Sequence, residues 1–235
     1  MKTRLFFLVC LSFLLLFGCG GSSDGDSPAT GQPTFVYQFL TGTEGWIGDF
    51  ADYPVGAEKG YGLVFAYTKL PQPLDTTKGA LMLSGNNHSD DLFMFLKKRI
   101  SGLEPGKVYN LTFVIEFASN VADGMTGIGG SPGEGVLVKV GATAEEPTKI
   151  PDTSGYYRMN IDKGNQSSGG RDMMVIGDFS NDTDKNIYTL KGVTNAAPFQ
   201  AQAGPNGELW LIVGTDSGFE GKTTIYYNRI EVTLN

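Results

Sequence analysis

Residues 103–117 read LEPGKVYNLTFVIEF. Glu104-Pro105-Gly106 carries turn chemistry, because proline presets its own φ and glycine accepts a positive one. From Val108 the chain alternates. Tyr109, Leu111, Phe113, Ile115 and Phe117 fall on one face, and Val108, Asn110, Thr112, Val114 and Glu116 on the other. An apolar set recurring every second residue marks a strand with one face in a core and one toward solvent or a groove. The pattern predicts a strand in the middle of a β-sandwich.

Outward from this stretch, strand-like runs recur at 35–40, 62–69, 80–84, 92–100, 136–142, 156–161, 173–176, 187–190, 199–203, 209–214 and 223–234. Turn clusters such as Gly85-Asn86-Asn87, Gly204-Pro205-Asn206-Gly207 and Asp216-Ser217-Gly218 separate them. About a dozen short strands with regular turns, and no sustained helical period, predict an all-β chain: a sandwich of two antiparallel sheets with almost no helix. The 33 glycines among 235 residues suit tight turns. Residues 118–134, with five glycines and no strand pattern, form a loop long enough to suggest function or motion. Lys97-Lys98-Arg99 ends an apolar run and either pairs with nearby acids or protects a sheet edge, the second being the favoured reading.

The formal charge of −7 becomes more negative if Lys2 and Arg4 leave with a leader. An acidic surface gains nothing from phosphate counterion release, which sets nucleic acid aside as a partner, and it disfavours polyanionic glycans. Residues 1–18 have the form of a signal peptide: Lys2 and Arg4 precede an apolar run too short to span a bilayer. Leu16-Phe17-Gly18-Cys19 resembles a bacterial lipobox, which implies lipidation of Cys19 and a membrane-anchored lipoprotein at the outer membrane or cell surface. Phe17 stands where such motifs usually carry a small residue. Residues 19–33 read as a flexible tether, and 34–235 as a single domain. The other cysteine, Cys10, lies in the leader. A mature acylated chain would therefore hold no disulfide and no cysteine nucleophile.

At 102–116 and 208–234 the chain resembles the jelly-roll carbohydrate-binding modules of the galactose-binding-like group. The residues carrying the likeness are Leu103-Glu104-Pro105-Gly106 with the following strand, the closing run Ile225-Tyr226-Tyr227-Asn228-Arg229-Ile230-Glu231-Val232, and Phe39…Gly42…Gly45-Trp46. Such modules often carry Asp where Asn228 stands. The resemblance implies a jelly-roll β-sandwich, sugar binding on a sheet face or at loop tips, and often a structural calcium.

Several stretches have matching chemistry. Residues 46–54 pack three aromatics and two acids into a loop-like segment. Trp46 there either stacks on a sugar ring or plugs the sandwich end with Phe50, and Asp49 and Asp52 are the candidate Ca²⁺ ligands. Asn86, Asn87, His88 and Asp90 lie in the most polar loop, and their amides and carboxylates suit sugar hydroxyls. His88 is the only histidine, which disfavours a His-based zinc site. Glu116 sits on the polar face of the central strand and leads to Asn120. The paired Glu-x-Asp-x-x-Glu strand of jelly-roll glycosidases is missing, and hydrolysis needs two carboxylates at fixed separation. The polar segment 160–172, with Arg171, completes the ligand candidates. The expectation is a tethered, non-catalytic module for neutral polysaccharide. The alternatives are an adhesive protein that binds a surface protein, or a jelly-roll hydrolase or lyase.

Overall fold

The computed structural model describes residues 32–89 and 91–235. The leader, Cys19, most of the tether and Asp90 lie outside the described residues. In chain order the elements are β1 (Thr34–Tyr37), β2 (Ile47–Ala51), β3 (Tyr53–Pro54), α1 (Glu58–Tyr61), β4 (Val64–Lys69), β5 (Gly79–Asn86), β6 (Leu92–Ile100) and β7 (Val108–Ser119). They continue with β8 (Val136–Thr143), β9 (Lys149–Pro151), β10 (Tyr156–Met159), β11 (Met173–Asp178), β12 (Thr189–Thr194), β13 (Phe199–Gln202), β14 (Leu209–Ser217) and β15 (Lys222–Leu234). Among the described residues the helical content is a single turn, as the periodicity predicts.

Two antiparallel sheets face each other. The first runs β12-β7-β15-β5-β4, with β13 also on β7 and β1 also on β15; the second runs β11-β8-β14-β6-β2. The chain crosses directly between these sheets at β1 to β2, β5 to β6, β6 to β7, β7 to β8, β11 to β12, β13 to β14 and β14 to β15. That alternation is the jelly-roll connection, and it explains why the inner faces interdigitate. Phe113, Ile115 and Phe117 of β7 meet Val136, Val138 and Val140 of β8 and Leu211 and Val213 of β14 in one buried core. The alternating set read from residues 109–117 is this buried face.

The outer faces differ. On the second sheet, Phe93, Phe95, Ile212 and, at the start of β11, Met173 are covered by Ile161 from the excursion that carries β9 and β10. The cover reaches β8 because Gly141 has no side chain: a Cβ there would lie 2.0 Å from the Asp172 carbonyl oxygen. Among the described residues, the outer face of the first sheet has no comparable cover. Its β7 residues Asn110, Thr112, Val114 and Glu116 stay half-exposed.

Two readings of the sequence need correction. Residues 47–51 form strand β2, hydrogen-bonded to β6, rather than a loop. Lys97 lies on a strand flanked by β14 and β2 and not at an edge; its buried ammonium sits 2.7 Å from Glu146 Oε1 and over the Trp210 ring.

Candidate functional site

The site is built by one extra residue in β15. The pairing with β7 runs Tyr226 to Ala118 and Tyr227 to Phe117, then slips so that Arg229 faces Glu116. Asn228 is the residue left over, a β-bulge. A bulge re-aims a side chain that strict alternation would send elsewhere. Here it brings the Asn228 amide onto Glu116, to which its Nδ2 donates a hydrogen bond, while Arg229 stays on the same outer face and pairs with Glu231. Carboxylate, carboxamide and guanidinium therefore meet in a cleft of about 190 Å³, completed by Gln38, Leu40 and Lys78. Across β12 the position opposite Glu116 is Gly192, where an added Cβ would meet nothing within 4 Å. Glu116 is thus open on that flank.

Two residues along the strands lies an aromatic pair. Tyr226, opposite Ala118, meets Tyr188 edge-to-face, with ring centroids 5.5 Å apart at 90°. Both rings are half-buried and rest on a small apolar patch with Leu190, Leu70 and Ala80. Burial, and then Tyr226 itself, push the Tyr188 phenol up to about 12, so it remains a hydrogen-bond donor at neutral pH. An apolar ring surface beside a carboxylate, an amide and a guanidinium is a surface for a polar, planar-faced ligand.

The residues named from sequence fall in separate places. Glu116 is in the cleft. Asn86 shares the same outer face at the far end of β5, roughly 20 Å away along the strands. Asn120 follows β7 directly. Asn87 is 2 % exposed, and its amide donates to the Ser217 and Phe219 carbonyls, which makes it a clamp between loops. His88 is exposed, edge-on to Tyr61, and its Nε2 pairs with the Asn86 amide. Arg171 is exposed in the cover over the other sheet and bound to Asp172. Trp46 is 1 % exposed and edge-on to Tyr37, with ring centroids 5.4 Å apart. It fills the core and offers no free face for stacking, which corrects the expectation of a sugar platform there. Asn228, Arg229, Tyr226 and Tyr188 were not among the candidates. A signal for them exists: inward positions run Ile225, Tyr227, then Ile230 and Val232, and the three-residue step marks the bulge.

The candidate calcium ligands are already engaged by cations. Asp49 Oδ1 accepts a hydrogen bond from Lys149 Nζ at 2.9 Å. Asp52, held at φ 64°, accepts from Arg158 at 2.8 Å and lies 2.8 Å from Lys163 Nζ, an ion pair not aligned as a hydrogen bond. Among the described residues the carboxylates that converge are Asp52, Asp91 and Asp216, with one oxygen of each within 4.8 Å of the others; Asp49 is not among them.

No protein-family model matches the chain, and no curated protein matches it. The solved structures it is similar to are mainly carbohydrate-binding modules and sugar-binding β-sandwich proteins. One is the K1 cleaved adhesin domain of Lys-gingipain from Porphyromonas gingivalis W83, at 11% identity and TM-score 0.38, covering 86% of this chain and 99% of that one. Another is the CBM22-1–GH10 portion of Clostridium thermocellum xylanase 10B, at 9% identity and TM-score 0.39, covering 86% of this chain and 29% of that one. A third is the enzymatically active domain of bacteriophage CBA120 tailspike protein 4, at 12% identity and TM-score 0.34; the chain, 80% covered, spans 19% of its length. At these identities the similarity is one of strand arrangement.

Proposed function

We propose that the protein is a glycan-binding module, tethered to the cell surface through a lipidated Cys19, that captures neutral polysaccharide without breaking a bond. The observation that carries this reading is the Asn228 bulge. It sets an amide and a guanidinium beside the Glu116 carboxylate on the uncovered sheet face, next to the Tyr188–Tyr226 pair. Sugar hydroxyls both donate and accept. Glu116 accepts, Arg229 donates, and the Asn228 amide does both, so adjacent hydroxyls can be matched in either sense. The tyrosine rings supply the apolar surface that the C–H face of a pyranose requires. The acidic net charge disfavours polyanionic chains and leaves neutral ones. The lipobox-like sequence ahead of a Gly/Ser-rich tether supports the anchor.

The test is a glycan array probed with the purified protein, followed by titration of any hit with Arg229→Ala and Glu116→Ala. Binding to a neutral glycan that both variants weaken supports the reading. A blank array from protein shown to be folded by circular dichroism overturns it and favours a protein partner. For the anchor, Cys19→Ala should move the protein from the membrane fraction to the soluble fraction; retention in the membrane would sink that part.

A further inference from the structure

The calcium implied by the resemblance meets an obstacle under the cover of the second sheet. Lys139, on the outer face of β8, has a fully buried side chain. Its ammonium, with three N–H donors, lies within hydrogen-bond reach of four acceptors: the backbone carbonyls of Lys163, Asn165 and Ser168 and, at 2.7 Å, Asp216 Oδ2. Loop carbonyls in sequence plus a carboxylate are the ligand set of a hard divalent cation. Here they surround a lysine. A second ammonium, Lys163 Nζ, lies 2.7 Å from the same Asp216 oxygen and 2.8 Å from Asp52. Arg158 bridges Asp52 and Asp91 at 2.8 and 2.9 Å.

The three converging carboxylates thus face three fixed cations. With all three carboxylates ionised the set is neutral without a metal, the condition under which buried charges are tolerated, and a proton on Asp91 makes it net positive, still less suited to a further cation. A divalent ion added to it would leave two uncompensated positive charges, or would have to expel Lys163 from between Asp52 and Asp216. The fit to calcium is therefore poor, although Asp91 Oδ1, Asp216 Oδ1 and Asp52 Oδ2, the last beside Lys163, lack hydrogen-bond partners among the described residues.

We propose that Lys139, seconded by Lys163, is a built-in replacement for a structural metal ion: its ammonium is the cation around which the 160–172 loop folds. The loop's order is then independent of calcium. A covalently held cation cannot be chelated away or diluted out, whereas a bound ion stabilises only in proportion to its free concentration.

The experiment uses the full-length protein. Metal content is measured by mass spectrometry, and thermal unfolding and limited proteolysis are followed in EDTA and in excess Ca²⁺. The expected result is no stoichiometric metal, one Tm in both conditions, and a loop resistant to cleavage in both. Lys139→Met keeps the length of the side chain and removes its charge; it should open 160–172 to protease. Lys163→Met, a milder change between Asp52 and Asp216, should turn the cluster acidic and make Tm rise with Ca²⁺. Stoichiometric calcium in the wild type, or a Tm that falls in EDTA, overturns the proposal even if the lysine variants do not fold. So does a Lys163→Met protein indifferent to Ca²⁺. None of these readouts involves glycan, so the glycan-binding reading stands or falls separately.

Discussion

Deleting Asn228 should remove the binding site and spare the fold. Inward positions of β15 are Ile225 and Tyr227, then Ile230 and Val232; with Asn228 gone the order becomes inward Tyr227, outward Arg229, inward Ile230. Regular alternation returns, and the pairing of Tyr227 with Phe117 and of Arg229 with Glu116 becomes continuous. The core residues keep their places, so no cavity opens. What is lost is the amide donated to Glu116. A hydrogen bond to a charged group contributes about 1.5–3 kcal/mol when buried. Beside a half-exposed carboxylate, solvent reduces this to about 1 kcal/mol, or roughly 2–4 °C of Tm in a domain of this size. For a bound glycan the deletion removes a charge-assisted contact and re-aims its neighbours, a loss of about 1.5–3 kcal/mol and so about 10- to 150-fold in Kd. Asn228→Ala keeps the bulge and removes the amide, and should fall between wild type and the deletion. Calorimetric titration and thermal unfolding of the three proteins decide the matter. A deletion variant that unfolds more than about 10 °C early refutes the register argument; one that binds like wild type refutes the placement of the site.

Tyr226→Ala should weaken glycan binding by about 1 kcal/mol, roughly fivefold in Kd, with far-UV circular dichroism unchanged. Trp46→Ala should do the opposite: truncating a ring buried in the core costs about 3–5 kcal/mol, roughly 10–15 °C of Tm, while Kd at temperatures where it is folded stays put. Stability should also depend on pH through Asp91. Burial first, and then the Asp52 charge, raise its carboxyl to about 7, against about 4 in an unfolded chain. The folded state therefore holds a proton that the unfolded state releases, so this contribution is present below pH about 4 and lost as pH rises through about 7. Asp91→Asn should narrow the gap between Tm at pH about 5 and at pH about 8; an unchanged gap would falsify the assignment to Asp91.

The class of fold was legible because the strands carry period-two patterns, and the buried faces of β7 and β15 are the residues the alternation names. Strand β2 escaped because Gly48 and Asp49 are poor strand formers. Gly48 is there for a tertiary reason: a Cβ would fall 2.3 Å from the Phe65 ring where the two sheets meet. Trp46 was ambiguous because an aromatic in a turn-rich stretch can plug a core or meet a ligand, and only its position against Tyr37 separates the two. Lys139 carried no signal, since one lysine within a valine-rich strand looks like an outward residue. Its role depends on carbonyls from a loop more than twenty residues on. Glu116 was found because it ends the polar face of the clearest strand. Its neighbours were missed because a bulge breaks the two-residue count on which that reading depends.

Where a ligand can bind follows from which sheet is covered, and part of that is written in the strands. Leu92–Leu96 in β6 and Leu211–Val213 in β14 are continuous apolar runs, buried without interruption. Strands of that kind are enclosed on both faces. In β7 and most of β15 apolar and polar residues alternate, so those strands have one face in the core and one outside. The second sheet therefore needs its cover, and the excursion 145–172 supplies it at the cost of burying Lys139, Lys163, Asp52 and Asp216, which must neutralise one another. The first sheet needs none. Its outer residues are not merely solvated filler, because a bulge, two tyrosines and a glycine opposite Glu116 depart from what an inert polar face requires. The ionic cluster and the open cleft are thus two consequences of one asymmetry. The proposed ligand-binding role is assigned to the first sheet because its polar groups are not already consumed in holding a cover in place.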